Sequence, residues 1–203
     1  MIYTLYYVHD PMCSWCYAFK PTLEKLRKHL DSNIKIVNVV GGLAPHSDEI
    51  MPKEMQEKIE SIWYEIEEVT GTKFNHDFWK KCAPRRSTYL ACEATILARY
   101  ENKENEMIEA IQEAYYQKAL NPSDATTLIS LAKQIGMDEK KFEEDLKSQK
   151  IEDDLQNELN FRRSLHVKTF PSLILEYKKE LYPINIKYND YETMLNQIKK
   201  REV

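Results

Sequence analysis

The sequence has no long hydrophobic run and no concentrated positive charge. Its apolar stretches fall well short of the ~20 residues that a helix needs to cross a bilayer. The 29 Lys and Arg residues are outnumbered by 33 Asp and Glu residues, which gives a net charge of -4. Lys and Arg form no dense patch, apart from short pairs at 85–86 and 162–163 and the tail at 199–201. Nucleic acid and membranes are therefore not expected as partners.

Cysteine is scarce, and the chain shows no secretion signal. Residues 1–8 lack the basic start, the apolar run and the small-residue cleavage site of a signal peptide, which predicts a cytoplasmic protein. Four cysteines in 203 residues are too few for a disulfide scaffold, and cytosolic thiols normally stay reduced. With 42% hydrophobic residues, the chain can bury one core, or one core with an attached subdomain.

Hydrophobic patterning predicts an α/β unit followed by helices. Residues 2–8 and 34–40 are rich in β-branched and aromatic types, which indicates two strands. Between them, apolar residues recur every three or four positions, as on one face of a helix. A strand–helix–strand unit favours parallel pairing. Amphipathic segments then follow closely: 52–71, 86–100, 106–120, 124–136, 138–149 and 151–165.

Strand signals return near the end of the chain. Residues 172–177 and 181–186 are predicted strands and residues 191–200 a closing helix, with Pro183 placing the second strand at a sheet edge. We therefore predict an α/β protein of three parts. Residues 1–44 supply β-α-β, residues 45–160 form a helical insertion domain, and residues 161–203 complete the first domain with β-β-α.

The stretch "DPMCSWCYAFKP", residues 10–21, holds a C-x-x-C pair, Cys13 and Cys16. Such a pair can bind metal, lie inert in a core, or work as a dithiol. A structural zinc site needs four ligands, but Cys82 and Cys92 lie inside a helical stretch and the five histidines show no ligand spacing. No metal is therefore expected. An inert pair would suit a position inside a helix, whereas this pair lies where a strand ends and a helix begins.

This position predicts chemistry at the pair. Unpaired backbone N–H groups and the positive end of the helix dipole stabilise an anion at a helix N-terminus. A thiol there can have a pKa of roughly 3.5–7.5 instead of about 8.5. We expect Cys13 at the helix start, exposed, as the attacking thiol. Cys16, one turn further in and shielded, is then the resolving thiol.

The sequence resembles the DsbA family of thiol–disulfide oxidoreductases, and within it the cytosolic, FrnE-like branch of predicted protein-disulfide isomerases. The similarity is carried by "HDPMCSWCYAF", "VVGGL", "YYQKALNPSD" and "VKTFPSLIL". It implies a thioredoxin-like fold with a large α-helical insertion domain, and disulfide exchange with protein substrates. It also implies protein thiols and disulfides as partners, with a reducing system such as thioredoxin or glutathione. No cofactor is expected.

The resemblance assigns roles to further residues. Ser14 and Trp15, between the cysteines, tune the redox poise of the pair. Trp15 either presents an apolar face to substrate or packs against the helical insertion. Pro21 matches a proline that kinks the active-site helix, and Pro171 matches the cis-proline that faces the disulfide. Phe170, just before it, offers backbone groups to an incoming peptide.

Two departures from the family pattern concern the proton on Cys16 and the proline loop. The buried acid that the family carries on the first strand is replaced by Tyr7, so a proton shuttle must come from elsewhere, with His9, Asp10 or water as candidates. Glycines often seen before the cis-proline are replaced by His166 and Thr169, which predicts a different loop backbone. His9 and His166 are interpreted as local hydrogen-bonding residues, and Cys82 and Cys92 as buried small hydrophobes.

Two alternative functions remain open from the sequence. Kappa-class glutathione transferases and 2-hydroxychromene-2-carboxylate isomerases share this architecture and act on small molecules, but they typically have serine at the nucleophile position and lack the resolving cysteine. The other alternative is a non-enzymatic, redox-sensitive adaptor protein, which can keep its C-x-x-C pair.

Overall fold

The computed structural model describes residues 3–201. Its first elements are β1 (Tyr3–His9), α1 (Ser14–His29) and β2 (Ile34–Val40). Helices follow: α2 (Lys53–Thr70), α3 (Phe78–Lys81), α4 (Tyr89–Tyr100), α5 (Glu104–Tyr116), α6 (Ala125–Gln134), α7 (Glu139–Leu146) and α8 (Gln149–Ser164). The last elements are β3 (Ser172–Tyr177), β4 (Glu180–Ile184) and α9 (Tyr191–Lys199). No helix within residues 3–201 is long and apolar enough to cross a membrane.

The strands form one sheet in the order β2-β1-β3-β4. β1 pairs with β2 in parallel, while β3 pairs with both β1 and β4 in antiparallel fashion. The predicted α/β class and parallel β-α-β unit are therefore confirmed. β4 lies at an edge, which explains how Pro183 is tolerated, because proline cannot donate a ladder hydrogen bond.

α1 links the sheet to the Cys pair. Its buried stripe includes Phe19, Leu23 and Leu26, which pack with the inward side chains of β1 and with α9. The stripe repeats at helical spacing because only one face of α1 meets the sheet. Pro21 lies inside this helix, as the resemblance implied. The helix therefore holds its N-terminus, and the cysteines there, just beyond the end of β1.

The second and larger core belongs to the helices. Trp63 lies at its centre, with Phe74, Phe78, Tyr115 and Tyr116 around it. The same core includes Met12, Ala18 and Val40, which belong to the Cys-pair loop, α1 and β2. The helices and the sheet unit thus meet at the cysteines. The division at residues 45 and 160 stays a prediction.

The observed helices and strands differ from the predicted ones only locally. α3 was not predicted because its four residues are too few to show a helical period. α4 begins at Tyr89 rather than at residue 86. The residues before it make hydrogen bonds outside the helix, with Ser123 Oγ donating to the Ser87 carbonyl and Thr88 Oγ1 donating to the Asp10 carboxylate.

Candidate functional site at the start of helix α1

Cys13 is the N-cap residue of α1. Its backbone is extended (φ -86°, ψ 118°), and its sulfur accepts a hydrogen bond from the Cys16 backbone N–H at 3.4 Å. Short polar side chains normally fill this position because a free N–H group of the first turn needs an acceptor. Here a sulfur is the acceptor, at the end of the helix that carries the partial positive charge of the dipole. The predicted location of Cys13 is confirmed.

The expected exposure of Cys13 is wrong. The residue is only 5% exposed, because the structure covers the start of α1 with α2, the segment after β2 and Phe170. Cys13 instead lines a pocket enclosing about 740 Å³, including the part open to solvent. We call this the Cys13 pocket. It is lined by Met12, Cys13, Ser14, Trp15, Leu43, Met51, Ile59, Ile62, Trp63, Arg85, Arg86, Thr88, Tyr115 and Phe170.

Cys16 is shielded, as predicted. It is 0% exposed, and neither Cys13 nor Cys16 forms a disulfide in the structure. Burial raises the pKa of the Cys16 thiol well above its ordinary value, and its hydrogen bond with Cys13 adds to this increase. The two thiols therefore have unequal surroundings: one caps a helix beside a pocket, and the other lies in the protein interior.

The proline loop lies against Cys13. The Phe170–Pro171 peptide bond is cis, and the Cys13 thiol lies 3.7 Å from the Phe170 carbonyl oxygen, to which it donates. The Phe170 ring also lies beside Gly41, where a Cβ atom would come within 2.3 Å of it. His166 earlier in the loop has a left-handed φ of 58°, so it takes a conformation that glycine favours. Thr169 accepts a hydrogen bond from the Ser172 hydroxyl through its carbonyl.

Asp10 links the chain segments that surround the site through hydrogen bonds. Its buried carboxylate accepts hydrogen bonds from the backbone N–H groups of Met12 at 2.8 Å and Leu43 at 2.6 Å, and from the Thr88 hydroxyl at 2.7 Å. The Cys92 thiol donates to it at 3.6 Å. Burial nevertheless raises the pKa of Asp10 above its ordinary value. The sequence suggested Asp10 only as a proton shuttle, whereas its contacts show a structural link between three segments.

His9 does not act as a local hydrogen-bonding side chain in this structure. The residue is fully buried, and within residues 3–201 neither ring nitrogen has a hydrogen-bond partner. Burial and the positive charges of Arg99 and Arg27 lower its pKa to about 3. The ring stacks on Tyr7 with centroids 4.9 Å apart. His9 is thus a neutral core ring near physiological pH, and the prediction for its side chain was wrong.

The remaining predicted residues divide between the site and the core. Ser14 and Trp15 both line the Cys13 pocket. Trp15 also packs against the helical core and against Tyr188, with ring centroids 4.8 Å apart, so it has both environments considered from the sequence. Cys92 is buried as predicted, but Cys82 is only half-buried and donates to the Ala119 carbonyl at 3.1 Å.

Arginines near the pocket were not singled out from the sequence. Arg85 and Arg86 line the Cys13 pocket. Arg85 is held by the Ser123 carbonyl at 2.8 Å and by the Asp124 carboxylate, whereas Arg86 is exposed. The only sequence signal was the dipeptide itself, and its position became visible once the helices packed. Within residues 3–201, no group of three or more His, Cys, Asp or Glu side chains is arranged to hold a metal ion.

Comparisons with known proteins show the family and the fold of this chain. Residues 6–197 match a family model described as Thioredoxin. The fold is similar to that of a candidate protein disulfide isomerase from Nitrosomonas europaea, with a TM-score of 0.85, 22% identity and coverage of 98% and 97% of the two chains. It is also similar to the cytosolic disulfide reductase DsbM from Pseudomonas aeruginosa, with a TM-score of 0.79, 18% identity and 98% coverage of both chains.

Curated relatives carry a different description. The ClpXP adapter protein SpxH from Halalkalibacterium halodurans is 24% identical over 176 residues, which are 84% of this chain and 57% of that protein. SpxH from Bacillus subtilis is 22% identical over 201 residues, which are 94% of this chain and 66% of that protein. The chain thus spans less than two thirds of the length of these two relatives.

Proposed function

The chain belongs to the thioredoxin family and has a DsbA-like fold, and from this premise we propose that it is a thiol–disulfide oxidoreductase whose working dithiol is Cys13 and Cys16. The observation that carries the proposal is the unequal surroundings of the two free thiols. Cys13 caps α1 and reaches a pocket, while Cys16 is fully buried behind it. Dithiol exchange needs this asymmetry between an attacking and a resolving sulfur.

The reaction in the reductive direction proceeds in two exchanges. The Cys13 thiolate attacks a substrate disulfide and forms a mixed disulfide, releasing the first substrate thiol. The Cys16 sulfur then attacks Cys13, which releases the second thiol and leaves a Cys13–Cys16 disulfide. The Phe170 carbonyl, 3.7 Å from the Cys13 sulfur, is placed to accept a backbone hydrogen bond from a bound peptide. Ser14 and Trp15 tune the redox potential of the Cys13–Cys16 pair.

We propose protein thiols and disulfides as substrates in the cytoplasm, with a thiol system such as thioredoxin or glutathione as the reductant. The apolar lining of the Cys13 pocket by Met51, Ile59 and Ile62 supports an apolar segment near the substrate cysteine. The same features suit disulfide isomerisation, because that reaction uses the same mixed disulfide. No cofactor or metal takes part in these steps.

The test is a redox titration of the protein against glutathione buffers, with alkylation and mass analysis to count free thiols. The expected result is one two-electron transition, which is lost in the Cys13→Ser variant. Cys82→Ser is the matched control, because it removes a half-buried cysteine outside the pair. Wild-type protein that does not cycle between dithiol and disulfide would refute the proposed function.

A second candidate function is an adaptor, which the names of the SpxH relatives favour. In that case the chain would bind a client protein and the Cys pair would not need to turn over. The Cys13→Ser/Cys16→Ser variant separates the two functions. An oxidoreductase loses its activity in this variant, whereas an adaptor keeps its client binding in a pull-down with the wild-type chain as reference.

A further inference from the structure

The charge of the Cys13 pocket is opposite to the charge of the whole chain. The protein has 33 Asp and Glu residues against 29 Lys and Arg residues, a net charge of -4. Arg85 and Arg86 nevertheless line the pocket, and none of its lining residues within 3–201 is an aspartate or a glutamate. The buried Asp10 carboxylate does not line it, and hydrogen bonds already occupy both of its oxygens. The pocket beside Cys13 therefore presents cations in a protein that is otherwise acidic.

The two arginines differ in their contacts with the rest of the protein. Arg85 Nη2 donates to the Ser123 carbonyl at 2.8 Å, and its guanidinium forms an ion pair with Asp124. Arg86 is exposed, and within residues 3–201 its side chain donates no hydrogen bond and forms no ion pair. Its guanidinium carries five N–H donors in a planar fork that matches the two oxygens of a carboxylate. Arg86 is therefore free to bind an anion that enters the pocket.

The backbone on both sides of Arg86 is fixed by contacts with distant segments. Arg85 forms an isolated β-bridge with Ile50 in addition to its hydrogen bond with Ser123. On the other side, the carbonyl of the buried Ser87 accepts a hydrogen bond from the Ser123 hydroxyl at 2.8 Å. A group on a fixed backbone loses less freedom on binding than a group on a loose loop. Arg86 is therefore held in position before a ligand arrives.

Exposed apolar side chains lie beside the arginines. Ile50, the bridge partner of Arg85, is 62% exposed, and Leu43, which lines the pocket, is 36% exposed. Met51 follows Ile50 in the chain and also lines the pocket. Single exposed apolar residues are common, but several grouped around one pocket and rimmed by polar groups indicate a binding surface. A ligand that fits this surface carries an apolar group as well as a negative charge.

The volume of the pocket limits how much of a substrate enters it. The pocket encloses about 740 Å³, including the part open to solvent. An extended chain advances about 3.3–3.6 Å per residue, so a cube of this volume, about 9 Å on a side, spans about three residues. The substrate cysteine must reach the Cys13 sulfur, which leaves room for its direct neighbours only. The charge that meets Arg86 therefore belongs to a residue next to the substrate cysteine.

We infer that the Cys13 pocket selects acidic polypeptide substrates. The Arg86 guanidinium binds a carboxylate next to the substrate cysteine, while Leu43 and Ile50 pack against an apolar neighbour. This inference rests on the proposed function and names its substrate class. In the exchange, the Cys13 thiolate forms a bond with the substrate sulfur, the substrate disulfide breaks, and its second sulfur leaves as a thiolate with the electron pair of that bond. Arg86 determines specificity and takes no part in the bond exchange.

The test compares peptide disulfides that differ in one charge. Three peptides with blocked ends contain a single cysteine between a leucine and a variable residue, which is Glu, Gln or Lys. The peptide sulfur is paired with a chromogenic aromatic thiol, which is the better leaving group, so attack by Cys13 on the peptide sulfur releases a coloured thiolate. Stopped-flow measurement at low salt gives a second-order rate constant for each peptide. The Glu peptide should react about fivefold faster than the Gln peptide, the upper end for one exposed ion pair, and the Lys peptide should be the slowest.

The net charge of the protein predicts the opposite order of rates. A chain with a net charge of -4 repels an acidic peptide, so long-range attraction alone would favour the Lys peptide. A preference for the Glu peptide therefore reports a local contact. This preference should decline as the ionic strength is raised from about 0.01 M to about 1 M, because salt screens an exposed ion pair.

Variants of Arg86 test the contact directly. Arg86→Gln should make the Glu and Gln peptides react at the same rate, and Arg86→Glu should reverse the order, with the Lys peptide the fastest. Arg163→Gln is the matched control, because it removes the same charge from an exposed arginine of α8 that does not line the pocket. This variant should keep the wild-type preference. Equal slowing of all three peptides in Arg86→Gln would contradict the inference, because it would show a structural role only.

The outcomes separate this inference from the proposed function. A wild-type protein that reacts no faster than Cys13→Ser with all three peptides would refute the oxidoreductase itself. A wild type that is faster than Cys13→Ser but has equal rates for the Glu and Gln peptides would refute only the charge selection. Glutathione paired with the same aromatic thiol carries carboxylates but no apolar neighbour, so it should react more slowly than the Glu peptide. An equal or higher rate for glutathione would overturn the assignment to polypeptides.

Discussion

Replacing Gly41 with alanine should disturb the Cys13 site through one contact. A Cβ atom at this position would lie 2.3 Å from the Cε1 and Cζ atoms of Phe170, whereas carbon atoms pack at about 3.5–4.0 Å. The ring must therefore move by at least about 1 Å, or the backbone after β2 must shift. Forced overpacking of this kind costs about 1–3 kcal/mol. Movement of Phe170 also displaces the carbonyl that contacts the Cys13 thiol.

The assay is urea unfolding together with the rate of the first exchange. G41A should lose about 1–3 kcal/mol of unfolding free energy and should react more slowly at Cys13. The double variant G41A/F170A should lose less than the sum of the two single variants, because the alanine at 41 then has no ring to meet. Strictly additive losses would refute the reasoning.

Gly71→Ala provides the comparison for backbone strain alone. Gly71 has a φ of 76° and no atom within 4 Å of an added Cβ. Its substitution should cost roughly 1–2 kcal/mol from the left-handed conformation. Its cost should not change when F170A is added, and the rate at Cys13 should stay at the wild-type value.

Two further predictions concern acidic residues. Burial raises the pKa of Asp10 in the folded protein. The folded state therefore keeps a proton that the unfolded chain loses near pH 3.9. The contribution of Asp10 to the free energy of unfolding declines as pH rises from there through the folded pKa. The stability advantage of wild type over D10N, measured by urea unfolding, should therefore shrink above about pH 4, and an advantage that grows would contradict this. Asp138 caps α7 by accepting from the Lys141 N–H at 2.8 Å, so D138A should lose about 1 kcal/mol while the exchange rates stay at wild type. A loss of activity in D138A would contradict its purely structural role.

Much of this architecture was predictable because its signals are local. Two strands, the helix between them and the helical stretch follow from the spacing of apolar residues. The position of Cys13 at the N-terminus of α1 follows from the spacing of apolar residues, which changes from strand-like to helical at residues 10–14. The edge position of β4 follows from Pro183 alone.

What could not be predicted depends on contacts between distant segments. The burial of Cys13 arises because α2 and Phe170 close over the start of α1, and sequence spacing does not contain that information. The sequence indicated a proton-transfer role for Asp10. Its hydrogen-bond partners Leu43, Thr88 and Cys92 lie 33, 78 and 82 residues away in the sequence, so its structural role could not be predicted. That the His9 ring has no hydrogen-bond partner within residues 3–201 likewise became visible only from its surroundings.

The sheet order has a consequence for the synthesis of the protein on the ribosome. β1 carries the chain into the Cys pair, but its antiparallel neighbour is β3, and Tyr6 bonds to Glu176 from 170 residues away. The N-terminal segment emerges first during synthesis, so both thiols leave the exit tunnel long before the loop that faces them. Until the C-terminal strands dock, the Phe170–Pro171 loop does not cover Cys13, so the nascent chain carries this thiol without the wall that later shields it.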